Sequence, residues 1–264
     1  MHPPRRVLEE FGAVGPVTRL DGGRGRAWRV GDTVLKPLDV LPAELGWLRD
    51  HAPSGGGDLR LSLPLASWSG DLVVDGWTAF PVLPGEHVAG RWARIADVAH
   101  RFAQVFDGAA RPAFLDERTH AWARADRLAW GEGAVQVPDD VPHLPALLAA
   151  RRVVTDASTL VHGDLTGNVL FDDELPPAVI DLTLYWRPVR YSVAIVAVDA
   201  VCFEGAPQSL LETIDPGEGF AQHLVRALVF RIATDWFNEL PSGVYDAYMA
   251  TVERTLDLAA RGRR

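Results

Sequence analysis

The chain has little of what covalent, redox or membrane chemistry usually draws on. It holds one cysteine among 264 residues, which excludes an internal disulfide. Cys202 sits in the apolar run 193–203 and reads as a buried core residue. No apolar run reaches the ~18 residues that a membrane-spanning helix needs, so no membrane partner is expected. Met1-His2-Pro3-Pro4-Arg5-Arg6 leads into no long apolar stretch, so no signal peptide is expected and the cytoplasm is the default location. Positive charge is also short, with a formal net charge of -9. A general nucleic-acid binder needs a basic surface, and that class is set aside. The acidic balance is compatible with a cationic small-molecule ligand. Lysine is as scarce as cysteine: Lys36 is the single lysine, so 25 of the 26 basic residues are arginines. A chain rich in Arg, Ala, Gly and Pro carries a coding bias that replaces any lysine whose task arginine can perform.

What is present is ordinary globular material, 48% hydrophobic and 23% charged, long enough for one large domain or two lobes with real cores. The strands 26–30 and 33–35 flank Gly31-Asp32, a hairpin signal. A short helix spans 42–51, with Pro42 in its first turn and Leu45 and Leu48 at helical spacing. Strands over 59–65, 72–74 and 77–82 complete a small sheet. Pro84-Gly85 marks a boundary, giving an N-terminal lobe over 1–83 and a helical C-terminal lobe over 84–264. Helices are expected over 91–106, 116–130 and 143–152. A compact β segment follows at 159–161, 169–171 and 178–180. Helices then close the chain over 193–203, 219–240 and 242–260.

Chemistry concentrates in Leu160-Val161-His162-Gly163-Asp164-Leu165-Thr166-Gly167-Asn168-Val169-Leu170-Phe171 and in Ala178-Val179-Ile180-Asp181. An apolar strand delivers His, Asp and Asn into a short loop, and a later strand ends abruptly in Asp181. Carboxylates at strand ends beside an amide suit a hard, oxygen-seeking cation such as Mg²⁺, and a further Asp can accept a proton or orient a hydroxyl. Phosphoryl transfer needs a metal to neutralise phosphates, a positioned nucleophile and a fixed nucleotide. Asp164 or Asn168 taken alone reads as a turn residue; the whole string reads as a site.

His162-Gly163-Asp164-Leu165…Asn168-Val169-Leu170 resembles the catalytic loop of the aminoglycoside phosphotransferase and choline kinase-like family. Asp181 resembles that family's metal-binding aspartate. The resemblance implies an α+β, two-lobed protein-kinase-like fold, with a small antiparallel sheet and one helix in the N-lobe and a mostly helical C-lobe. It implies ATP, or GTP, as phosphoryl donor, Mg²⁺ as cofactor, and direct transfer to a hydroxyl of a small-molecule acceptor. By role, Asp164 would orient and deprotonate that hydroxyl, Asn168 and Asp181 would hold Mg²⁺, and His162 would brace the loop.

Lys36, in Val34-Leu35-Lys36, resembles the strand lysine that pairs with nucleotide phosphates in kinase-like folds. An ammonium is a compact point charge that a planar guanidinium does not replace at a tight phosphate site, so a lone lysine here points to a functional requirement. Glu44 has two readings: a partner that holds Lys36, or a first-turn acid favoured by the helix dipole. Gly22, Gly23 and Gly25 would cover phosphates with backbone N–H groups, or form an ordinary glycine-rich turn. The main chain of Ala79, Phe80 and Val82 would meet the adenine edge at the hinge, a place that Pro81 also suits as an edge strand.

The pattern departs from the family in two places. Asp164 and Asn168 are four positions apart where relatives have five, a tighter loop that Gly167 would permit. After Asp181 comes Leu182-Thr183-Leu184-Tyr185-Trp186-Arg187, with the next helix expected to start at Ser192 as its cap. The shortened loop keeps a second reading open, a nucleotide-binding pseudokinase that regulates a partner, and a third is a nucleotidyl transferase on the same scaffold. Asp126, Asp199, Asp235 and Glu239 lie on expected helices, where structural ion pairs or a solvated face account for them better than contact with a cationic acceptor.

Overall fold

The computed structural model describes residues 2–21, 25–53, 57–133 and 140–261. Helix α1 (Arg5–Glu10) precedes strands β1 (Val17–Arg19), β2 (Trp28–Val30) and β3 (Thr33–Pro37), then α2 (Pro42–His51), β4 (Arg60–Leu61) and β5 (Trp77–Pro81). Helices α3 (Trp92–Val105), α4 (Phe114–Glu117), α5 (Ala121–Trp130) and α6 (Leu144–Ala150) follow. Next come β6 (Thr159–His162), β7 (Val169–Leu170), β8 (Ala178–Val179) and β9 (Leu184–Arg187). The chain ends in α7 (Val189–Phe203), α8 (Leu210–Thr213), α9 (Phe220–Phe237), a 3₁₀ segment Ser242–Tyr248, and α10 (Met249–Arg261). The elements form two compact units: Met1–His87 with Pro112–Phe114 and Asn168–Leu182, and Val88–Arg111 with Leu115–Gly167 and Thr183–Arg264.

The first unit is built on an antiparallel sheet in the order β1-β2-β3-β5. Gly31 and Asp32 make the turn between β2 and β3, with Val30 opposite Thr33. Gly31 has φ +58, and a Cβ there would lie 2.3 Å from the Val14 carbonyl oxygen, so only glycine fits. Strand side chains alternate between faces. Burying Leu35 in the cluster of Val7, Val30, Trp77 and Ala79 therefore turns Lys36 to the opposite face, where it pairs in register with Thr78. Helix α2 starts with Pro42 at its first turn and buries Glu44, Leu45 and Leu48. A second sheet in the order β4-β8-β7 joins Leu61 to Val179 in parallel and Val169 to Val179 antiparallel.

The second unit is mostly helical. Helix α7 is buried over Tyr191–Ala200, as a helix apolar on every side must be. α3 turns Ile95, Val98, Ala99 and Phe102 inward. Hairpin β6–β9 pairs Leu160 with Trp186 and His162 with Leu184. Among the described residues no helix is long and apolar enough to cross a membrane.

Several elements differ from the sequence expectations for identifiable reasons. Helix α1 and strand β1 precede the expected first hairpin. The strand expected over 72–74 shrinks to a single bridge between Val74 and Trp77. The helix expected over 116–130 breaks at His120, whose side chain accepts from the Ala123 N–H at 3.2 Å and caps α5. Leu184–Arg187 forms a strand because it completes the hairpin begun by β6. Helix α7 starts four residues before 193, at Val189 behind Pro188. Ser192 is therefore no cap: it is buried inside the helix and donates to the His162 carbonyl at 2.6 Å. Cys202 is only half-buried; its thiol lies 3.3 Å from Thr251 Oγ1 and burial pushes it up to about 11.

His223 on α9 is buried, with Nε2 3.3 Å from Asp156 Oδ2, and burial pulls its pKa down to about 4. The unfolded chain then binds more protons than the native one between pH ~6.5 and ~4, so stability falls as pH drops through that window. A thermal-melt series should show Tm declining below pH 6.5, with a flatter slope in His223→Gln than in the wild type.

Candidate functional site

The first unit contains a cavity lined by Lys36, Asp39, Glu44, Thr78, Phe80 and Asp181, among others. Strand β3 delivers Lys36 to it. Asp181 arrives from β8, two residues past the strand end, with φ +52, a left-handed conformation that a short polar residue such as Asp tolerates. The Ile180 N–H donates to the Asn168 carbonyl at 3.0 Å, so Asn168 and the approach to Asp181 are tied by backbone. Lys36 Nζ donates to Asp181 Oδ1 at 2.7 Å across 145 residues of sequence. The same ammonium sits 5.2 Å from the Phe80 ring centroid.

The lysine side chain is 22% exposed and the aspartate 55%. A pair this accessible contributes at most about 1 kcal/mol to stability. Exchanging the aspartate for phosphate oxygens, or the ammonium for a metal ion, therefore costs the fold little. Asp39 joins the same electrostatic group: partial burial and the Asp181 carboxylate push its pKa up, against the pull of Lys36 and Arg26. Its carboxylate is 3.5 Å from Arg26. No group of three or more His, Cys, Asp and Glu among the described residues could hold a metal alone. One carboxylate and one amide, completed by phosphate oxygens and water, suit Mg²⁺, which binds through one or two protein carboxylates and keeps several waters. Asp181 and Asn168 carry donors of those two types, and the Asn168 carbonyl holds the Ile180 N–H next to Asp181.

The second unit carries the loop that follows β6. His162 is buried and stands edge-on to Phe102 at 5.4 Å. Its Nδ1 accepts the Asp164 N–H at 3.0 Å, and its carbonyl accepts the Ser192 hydroxyl. Gly163 lies under the Tyr185 ring, where a Cβ would come within 2.3 Å of Cε2. Asp164 Oδ1 accepts from Arg231 Nη2 at 2.6 Å. Arg231 Nε also donates to Asp199 Oδ1 at 2.7 Å, and its Nη2 reaches Asp199 Oδ2. Burial raises the Asp199 pKa to about 6, and the adjacent guanidinium opposes that rise.

Asp126, Glu132 and Asp235 of this unit also have close partners. Asp126 and Glu132 both pair with Arg187 at 2.6 Å. Asp235 accepts from the Tyr248 hydroxyl at 2.6 Å.

The structure brings Lys36, Glu44, Phe80 and Asp181 together around one cavity. Ala79 and Val82 are not among its lining residues; the Ala79 carbonyl accepts the Leu65 N–H at 2.8 Å and the Val82 N–H donates to the Asp32 carbonyl at 2.8 Å. Gly25, at φ +61, has its carbonyl bound by Arg19 Nε at 2.6 Å, while Gly22 and Gly23 lie outside the described residues. Gly167 adopts φ +81 where the four-position interval between Asp164 and Asn168 turns. Sequence reading missed Asp39 and Arg231. Asp39, three positions past the lone lysine, was within reach as a nearby acid. Nothing in the sequence marks Arg231 among so many arginines; only its position on the inward face of α9 gives it meaning.

No family model and no curated protein matches the chain. Solved structures do. An aminoglycoside phosphotransferase from Alicyclobacillus acidocaldarius is 15% identical at TM-score 0.61, covering 99% of this chain and 95% of its own. Choline kinase LicA from Streptococcus pneumoniae is 10% identical at TM-score 0.59, covering 96% and 97%. A thermostable aminoglycoside phosphotransferase APH(4)-Ia, in ternary complex with ADP and hygromycin B, is 17% identical at TM-score 0.57, covering 98% and 97%. At such identities the likeness is one of fold, and the chain has the α+β, protein-kinase-like fold of aminoglycoside phosphotransferases and choline kinases.

The contact between Gly163 and Tyr185 yields a direct check. Gly163→Ala should destabilise the protein by about 1–3 kcal/mol through overpacking, and Tyr185→Leu in the same chain should recover part of the loss in a urea titration.

Proposed function

We propose that this chain, with the fold of the aminoglycoside phosphotransferases and choline kinases, transfers the γ-phosphoryl group of ATP to a hydroxyl of a small molecule. The observation that carries the reading is the meeting of Lys36 and Asp181 at 2.7 Å. The only ammonium side chain of the protein and a strand-end carboxylate share one cavity, as a site for a metal–triphosphate requires. The chemistry of the fold neighbours supports the same reading, since one of them is complexed with ADP together with hygromycin B.

In this reading Lys36 grips the α- and β-phosphates, with Glu44 at the same cavity to position the ammonium. Asp181 and Asn168 hold Mg²⁺, which when bound neutralises phosphate charge. Asp164 orients the acceptor hydroxyl and takes its proton. The hydroxyl oxygen forms a bond to the γ-phosphorus, the bond from that phosphorus to the β–γ bridging oxygen breaks, and ADP leaves. His162, through its hydrogen bond to the Asp164 N–H, holds the loop and takes no proton. GTP is an alternative donor on the same grounds.

A second reading is favoured by one feature, the four-position interval between Asp164 and Asn168. It holds the chain to be a nucleotide-binding regulator without turnover. The two separate cleanly in an ADP-release screen over a metabolite panel with Mg²⁺: transfer to at least one hydroxylated acceptor supports the kinase, and nucleotide binding without any acceptor-dependent ADP release supports the regulator.

Lys36→Met should lower kcat/KM by at least ~10²-fold, and wild-type kinetics in that variant would remove the lysine from the mechanism. Asp181→Ala should abolish the Mg²⁺-dependent part of ATP binding measured calorimetrically with and without the metal. Asp164→Asn should lower kcat by roughly 10²–10⁴-fold, the range of general-base catalysis, while nucleotide affinity changes little; equal losses in both would assign Asp164 a structural role.

A further inference from the structure

We propose that Arg231 is a positioning residue for Asp164: a buried guanidinium on α9 fixes the loop carboxylate in one orientation, and Asp199 on α7 holds that guanidinium in place. The inference rests on the proposed role of Asp164 and deepens it.

The geometry is that of a relay with one rigid end. Arg231 is 11% exposed in its side chain and Asp199 7%, whereas Asp164 is 41% exposed. Asp199 is engaged by two Arg231 nitrogens, Nε at 2.7 Å and Nη2, the fork-to-fork arrangement that fixes a guanidinium plane. The same Nη2 then offers its other proton to Asp164 Oδ1 at 2.6 Å. The buried pair is thus the anchor, and the accessible carboxylate is the part it aims. Helices α7 and α9 pack against each other in the unit core, so the anchor is set by rigid elements.

The loop needs such an anchor. Its backbone is tied by His162 Nδ1 to the Asp164 N–H, a contact that places the main chain and does not touch the carboxylate that Arg231 meets. An exposed aspartate on a loop otherwise samples several rotamers. A reacting hydroxyl must be met within a few tenths of an ångström, and a misplacement of ~1 Å can cost ~10²-fold in rate. Lysine cannot replace the arginine fully, because one ammonium lacks the planar fork that serves two carboxylates in fixed directions.

Removing Arg231 alone would strand the buried Asp199, and such a variant could fail simply by unfolding. The test therefore neutralises both anchor groups together, in Asp199→Asn/Arg231→Gln, beside Arg231→Lys. Steady-state kinetics on the acceptor found for the wild type should show kcat lower by at least ~10²-fold in the double variant, with KM for ATP and calorimetric nucleotide affinity within roughly threefold of wild type. Arg231→Lys should recover part of kcat. A double variant that melts cooperatively and keeps kcat within about threefold of wild type would overturn the proposal, as would equal losses in kcat and nucleotide affinity.

A crystal structure of the double variant decides the matter even if the wild type transfers to no acceptor, a result that would defeat the kinase reading by itself. The Asp164 carboxylate should then be displaced by about 1 Å or split over several rotamers. A single unchanged Asp164 rotamer would show that Arg231 positions nothing.

Discussion

An ammonium and a carboxylate separated by 145 residues lie 2.7 Å apart in the first unit, and the functional account depends on that contact. It is a poor candidate for a stabilising device. Both partners reach solvent, and ion pairs of this exposure contribute little to folding. Its meaning lies in what it brings together. The strand that buries Leu35 must turn Lys36 to the other face, and the Asn168 carbonyl, by accepting the Ile180 N–H, delivers Asp181 to the same cavity. Two unrelated local constraints thus converge on one point where opposite charges can be exchanged for phosphate and metal. Lys36 is the single lysine among 26 basic residues, and the compact ammonium it supplies is what the proposed phosphate contact asks for.

The second unit handles charge differently. Several of its acids share an arginine, one buried and one more accessible on each: Asp126 and Glu132 on Arg187, Asp199 and Asp164 on Arg231. A buried carboxylate is tolerable only when a partner compensates the desolvation, and arginine, always charged and forked, is suited to compensate two at once. The net charge of -9 consequently says little about the acceptor. Asp126, Asp199 and Asp235 already have arginine or tyrosine partners, which fits the expectation that they serve structure, while Glu239 is exposed beyond the end of α9.

What could be read from the sequence divides along physical lines. Local signals carried far: the Gly31-Asp32 turn, the Pro42 helix start and the inward face of α3 lie where their chemistry dictates, and Asp181 reaches the cavity that Lys36 lines. Features that exist only through long-range pairing were not legible. Leu184–Arg187 is a strand because it completes the hairpin with β6, and a run ending in Trp186-Arg187 gives no period-2 signal of its own. Ser192 looked like a cap because serine favours that place, yet Pro188 opens the helix earlier and leaves Ser192 to bind the His162 carbonyl. Arg231 was invisible for the same reason: its significance comes from α9 passing the loop, a tertiary fact.

The most direct measurement is a crystal structure of the wild-type protein with a non-hydrolysable ATP analogue and Mn²⁺, which gives an anomalous signal in place of Mg²⁺. The account predicts a manganese peak on the Asp181 carboxylate, bridged to phosphate oxygens, and the Lys36 ammonium moved from Asp181 onto the same phosphates. A nucleotide bound away from both side chains, or the pair of Lys36 and Asp181 intact beside a bound triphosphate, would contradict it.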